Sequence, residues 1–228
     1  MTIRRLVEHA DEQHHEAMRT MPASRRRFVR NLGLGGAAAL GATTVPIAVL
    51  GTSALAQTSG STDVELPPND AVMVEFALGI ELAVAEVYTA ALDTGVLEPE
   101  LAEMIRSFGN HHHEHALSMA TLAGRDEETI GLPNVAFLDE FSPRVAAAPT
   151  ANDLMAVLFD VEQGMAATYA EQLGVFESAA AAGPAGAILP VESQHATAIG
   201  STLGLPATDW MPPFQTTEGA FDPATYAG

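Results

Sequence analysis

The residues able to do chemistry in this 228-residue chain gather in two places: the run His111-His112-His113-Glu114-His115 and the tetrad Glu192-Ser193-Gln194-His195. Imidazole and carboxylate side chains are ligands for divalent transition metals, so both places invite a metal site. The histidine-rich run has two competing readings, a solvated polar face of a helix and a cloning remnant. A tag sits at a terminus and contains only histidine, whereas this run is internal and has strong helix pattern on both sides. The tag is therefore disfavoured, and the question becomes which histidines point inward and what meets them there.

The elements that must position them are helical. Asn69 or Asp70 can cap a first helix that continues through Leu92 to a stop at Gly95. A second starts near Pro99 and runs to Gly124. Arg125 to Pro149, with Gly131, Pro133, Pro143 and Pro149, lacks sustained periodicity and reads as a long crossover. Thr150-Ala151-Asn152-Asp153 offers a capping box for a third helix reaching about Ala182. After Gly183-Pro184 comes a fourth, to about Leu203, with Pro190 as a late start or a kink. Residues 205–228, including Trp210-Met211-Pro212-Pro213-Phe214, read as an extended tail packed over the helices. Strand signals are weak throughout. Short links between helices 1–2 and 3–4 with a long one between 2–3 describe an all-α fold, a four-helix bundle with one crossover over residues 69–204.

An internal repeat then selects the inward faces. A shift of 81 residues places Val74 on Met155, Leu78 on Phe159, Glu81 on Glu162, Ala85 on Ala166, Tyr88 on Tyr169 and Leu92 on Leu173. The spacing of 4, 3, 4, 3, 4 is that of one buried bundle stripe. Each half thus puts one carboxylate in an apolar seam, with a tyrosine two turns further along. The second helix has the stripe Leu101, Ile105, Phe108, His112, His115, Met119 and Leu122, and a shift of 80 brings Ala185, Ile188, Glu192, His195, Ile199 and Thr202 of the fourth onto its last six positions. His112 and His115 then face the core, about 60° apart at 100° per residue. A competing stripe through Met104, Phe108, His111 and His115 passes Ser118 and fits less well; His111 and His113 are placed on the solvated face. The four seams converge Glu81, His112, His115, Glu162, Glu192 and His195. Three buried carboxylates need positive partners. The chain has no lysine and the three arginines beyond residue 57 lie off the stripes or in the crossover, so a metal cation is the natural counter-charge. The bland alternative is a hydrated layer of hydrogen-bonded His and Glu.

The first part of the chain reads differently. Seven of the ten basic residues, all Arg, precede residue 57, and Ser24-Arg25-Arg26-Arg27-Phe28 leads into a weakly apolar run from Asn31 to Gly51 and then Ala54-Leu55-Ala56. That order is a secretory signal with an A-x-A cleavage site over residues 1–56, similar to a twin-arginine export signal, followed by a flexible leader over residues 57–68. It implies a prokaryotic source and a periplasmic or extracellular destination. An uncleaved anchor is the alternative, disfavoured by the Gly, Thr and Pro46 of the run. Without cysteine, disulfides and iron–sulfur clusters are excluded. Beyond residue 56 there remain 3 Arg, no Lys and 25 of the 29 Asp and Glu, a formal charge of −22. Such a surface repels nucleic acid and anionic membranes.

One inward Glu on each of two helices plus Glu-x-x-His on each of the others resembles the ferritin-like carboxylate-bridged di-metal proteins. Glu192-Ser193-Gln194-His195 matches that motif, and Glu81 and Glu162 match the single-Glu helices. FALGIELAVAEVY, LPVESQHATAIG and GAFDPATY are most similar to the exported ferritin-like group related to desiccation-associated proteins, over roughly residues 69–225. The resemblance implies a metal site for iron, with manganese, zinc or copper as other occupants, and redox work such as ferrous or peroxide oxidation. The chain departs from the pattern where His112 stands in place of a Glu. A carboxylate can bridge two ions while an imidazole has one free lone pair, so the departure favours one tightly held ion or a mixed site. A metal-independent helical envelope protein is the competing function; an iron-storage cage is disfavoured by the Pro-rich tail, and a manganese-catalase-like activity and homo-oligomerisation stay open.

Export should leave a chain beginning at Gln57, because small residues occupy both recognition positions and a polar segment follows. Intact mass spectrometry of exported material checks this; retention of residues 1–56 removes the claim.

Overall fold

A computed structural model describes residues 65–226, in which no strand occurs. The export signal, the Gln57 cleavage position and most of the leader lie outside the described residues. Four long helices form two hairpins. Helix α1 (Pro68–Asp93) packs on α2 (Pro99–Leu122), and α4 (Ala151–Val175) packs on α5 (Ala179–Leu203). Contacts of α1 with α4 and of α2 with α5 join the hairpins, so one seam runs through all four. Its walls are Val74, Leu78, Ile105, Met119, Leu158, Met165 and Ile199, all buried. No helix of the described residues is long and apolar enough to cross a membrane.

The crossover differs from its expected irregularity. After a 3-10 turn (Glu127–Thr129) it forms a third helix, α3 (Val135–Ala146), which packs on α1 and α4. Asn134 sets it: its side chain accepts from the Phe137 N–H at 2.9 Å, and its own N–H donates to the Gly79 carbonyl at 2.8 Å. Phe137, Phe141 and Val145, spaced by four, are buried. Pro143 is tolerated because it sits in the last turn, where one missing hydrogen bond costs least.

Two helix ends also differ from expectation. Helix α4 stops at Val175 rather than Ala182, and α5 begins at Ala179, ahead of Gly183-Pro184. The cause is tertiary. Asp70 does not cap its own helix, whose N-cap is Pro67 without a side-chain bond. Its enclosed carboxylate instead accepts from the N–H groups of Glu177 and Ser178, at 2.8 and 2.9 Å, and turns the chain there. Ser178 then caps α5 by accepting from the Ala181 N–H. Thr150 caps α4, accepting from the Asp153 N–H at 3.2 Å, but the expected box is not closed, since the Asp153 carboxylate accepts from the Thr150 hydroxyl and not from its backbone N–H.

The tail packs by means of glycine. A short helix, α6 (Ala207–Trp210), lays Trp210 against Gly200, and Phe221 covers Gly164. A Cβ at either glycine would overlap the ring above it. Met211 and Phe214 face solvent. Phe221 joins Phe137, Phe141 and Tyr226 in an aromatic cluster, while the Tyr226 carbonyl accepts from the Asn134 amide at 2.7 Å. Substituting Gly164→Ala should cost about 1–3 kcal/mol through overpacking, against the helix preference for alanine. Gly174→Ala, with open space around it, should gain up to about 1 kcal/mol. Denaturant melts compare the two; equal stabilisation would show that Phe221 does not seat on α4.

Candidate metal centre

The mid-helix positions of the four long helices bring Glu81 (α1), His112 and His115 (α2), Glu162 (α4), and Glu192 and His195 (α5) to one place. They form two overlapping groups, Glu81–His112–His115–Glu192 and His112–Glu162–Glu192–His195, in each of which one ligand atom per residue lies within 4.8 Å of the others. Glu81, His112, Glu162 and Glu192 are fully enclosed, His195 is 2 % exposed, and the His115 side chain is 11 % exposed. His113 and Glu114 face solvent. His111 is exposed as well, yet it is not detached from the site: its Nδ1 lies 2.9 Å from Nε2 of His195.

His112 is the hub. Its Nδ1 is 2.8 Å from Glu81 Oε2, and its Nε2 is 3.0 Å from Glu162 Oε1 and 3.9 Å from Glu192 Oε2. His195 Nδ1 stands 3.2 Å from Glu162 and 3.4 Å from Glu192. The tyrosines cross between the halves. Tyr169 donates to Glu81 Oε1 at 2.6 Å, and Tyr88 donates to Glu162 Oε1. The pattern of a tyrosine seven residues after each glutamate was visible in the sequence; that each tyrosine serves the other half's glutamate depends on how α1 packs against α4.

Burial alone would raise the glutamate pKa values. The neighbouring imidazoles outweigh it: His112 and His115 hold Glu81 down at about 2, and His112 and His195 hold Glu162 well below the carboxylate range. Burial conversely pulls the histidines down, and the carboxylates reverse it. Glu192, Glu162 and Glu81 keep His112 well above its ordinary value, Glu192 and Glu81 lift His115 to about 9, and Glu162 and Glu192 raise His195. Tyr88 and Tyr169 are pushed up by burial and by Glu162 and Glu81 respectively, so both phenols stay protonated donors. Burial and then the adjacent His195 lower His111.

One part of the cluster is not closed by hydrogen bonds. His115 Nδ1 lies 2.7 Å from Glu192 Oε1, but the pair is not aligned as donor and acceptor. His115 Nδ1 and both Glu192 oxygens are buried without a hydrogen-bond partner. Buried polar atoms left without a partner are costly, and carboxylate plus deprotonated imidazole is a donor set that suits a cation placed among them.

The family of the bundle is settled by its sequence profile, which matches the ferritin-like domain over residues 69–205. The chain belongs to the ferritin-like domain family. No curated protein and no solved structure matches it. Within this ferritin-like bundle the two phenol–carboxylate bonds should matter equally. Tyr88→Phe and Tyr169→Phe should each cost about 1.5–3 kcal/mol, the worth of a buried hydrogen bond to a charged acceptor. Chemical denaturation measures it, and a loss confined to one variant would deny that the two halves are equivalent here.

Proposed function

We propose that this protein is an exported, acidic ferritin-like protein of the desiccation-associated type, released by a twin-arginine signal, whose core binds a metal ion for redox work. Glu81, His112, His115, Glu162, Glu192 and His195 would hold the ion. The observation that supports this best is Glu192: fully enclosed, both oxygens unpartnered, and surrounded by nitrogens of His115, His195 and His112 at 2.7, 3.4 and 3.9 Å.

Charge argues for a single ion. Three carboxylates are neutralised by one divalent cation and one imidazolium, whereas two divalent cations among neutral imidazoles leave a net positive charge in an apolar seam. His112 strengthens the point, since a neutral imidazole gives its lone pair to one ion only. Iron leads among the candidates, with manganese, zinc or copper also suited to the donors. A redox-active ion there would supply one-electron exchange, which suits oxidation of ferrous iron or of peroxide in stress protection with dioxygen or a second peroxide as the electron acceptor. The chain's own groups prepare the place: the phenols of Tyr88 and Tyr169 fix two carboxylates, and the apolar walls exclude water. Loading displaces hydrogens from the histidines, so affinity rises with pH.

A second reading follows from His112, whose two nitrogens both face carboxylates. A protonated His112 between Glu81 and Glu162 supplies positive charge by itself, and a bundle closed in that way serves as a metal-independent envelope scaffold. Elemental analysis with a thermal melt before and after chelation separates the two: bound metal and a lowered melting temperature on chelation support the first, neither supports the second.

Changing His112→Glu completes the second Glu-x-x-His motif and adds the missing negative charge, so it should raise the iron-to-protein ratio after ferrous reconstitution in air from about one toward two. His113→Glu adds the same charge on the solvated face and should leave the ratio unaltered. Equal ratios in both variants and the wild type would remove His112 from the ligand set.

A further inference from the structure

The cluster is nearly sealed, with four of its six residues fully enclosed. A hydrated cation must therefore be caught at the surface and stripped of water on its way in. His111 spans that divide. It is exposed, yet its Nδ1 contacts His195 Nε2 at 2.9 Å, and the two rings lie 14° from parallel with centroids 5.2 Å apart. Phe108 stacks on His195 with centroids 4.0 Å apart and gives that ring an apolar support. Among the described residues His111 has no carboxylate within 4.0 Å, unlike His112, His115 and His195. Nothing of opposite charge occupies it.

We propose that His111 is the capture ligand through which a divalent cation reaches the buried cluster, passing from the exposed imidazole to His195. This rests on the metal-centre reading given above. Two ring nitrogens 2.9 Å apart need one hydrogen between them. A cation that takes Nε2 of His111 selects the tautomer with the hydrogen on Nδ1, donated to a neutral His195, and is then held one ring away from His195. His195 Nδ1 in turn faces Glu162 and Glu192 at 3.2 and 3.4 Å, which places it in the second ligand group. His115, the other partly open residue, already belongs to the first group and lies 2.7 Å from Glu192, so it is not a free surface ligand. The sequence pattern hid this role because His111 lies off the buried stripe of α2 and meets the cluster only through α5.

Cobalt(II) is a suitable probe, since its visible bands report coordination. Metal-free chain mixed rapidly with cobalt should develop those bands on the order of tenfold more slowly in His111→Ala than in wild type, the rate change expected when the entry barrier loses one contact worth a single hydrogen bond. The final cobalt-to-protein ratio and the melting temperature should match wild type. His113→Ala, exposed two residues before His115, should load at the wild-type rate. His111→Asn keeps a donor near the Nδ1 position but has no imidazole lone pair, and should be as slow as the alanine variant. Wild-type rates in His111→Ala, or recovery in His111→Asn, would overturn capture by His111; a lowered final ratio would overturn it too, by making His111 a ligand of the resting site. A wild-type chain that takes up no cobalt would overturn the metal centre itself, a result separate from any of these.

Discussion

Three carboxylates at the middle of an apolar seam set the terms for the rest of this bundle. Each would be driven to protonate if left alone, and no lysine exists to meet them. Two of the three arginines of the bundle are spent at the surface, Arg125 on Glu75 and Arg144 on Asp160. What converges on the carboxylates is therefore imidazole and phenol: His112, His115 and His195 from one pair of helices, Tyr88 and Tyr169 from the other. The helices are held in register as much by this polar centre as by the leucine, valine and methionine around it, because a slip of one residue would bury unpaired charge.

The stripes of Glu81 and Glu162 could be read from the chain because two turns of apolar spacing on either side admit only one inward face. The same holds for Glu192 and His195. Within the histidine run periodicity separates His112 from His113 cleanly but not His111, whose contact depends on α5 rather than on its own helix. The crossover helix was obscured by Gly131, Pro133 and Pro143, although Phe137, Phe141 and Val145 carried a helical spacing. The end of α4 was unreadable for a different reason. Alanine after alanine from 179 to 182 suits a helix in either assignment, and the break is imposed by Asp70, more than a hundred residues earlier.

At the clustered Glu and His positions the two halves match except at one, where α2 has His112 and α5 has Glu192. That exchange converts a site of balanced carboxylates into one with a nitrogen-rich side. It also explains the uneven closure of the cluster: His112 is saturated by Glu81 and Glu162, while Glu192, its counterpart, is left without a donor.

The aromatic clasp of the tail bears on the order in which the molecule can be finished. Helix hairpins α1–α2 and α4–α5 rest on neighbours in sequence and can form as they leave the ribosome. Phe221 on Gly164, and Tyr226 on Asn134 and Glu140, join positions separated by 57 to 92 residues. Those residues are synthesised after every helix that they fasten. The crossover is thus pinned against α1 and α4 from outside by residues made after every helix, so closing the aromatic clasp is a step separate from pairing the hairpins.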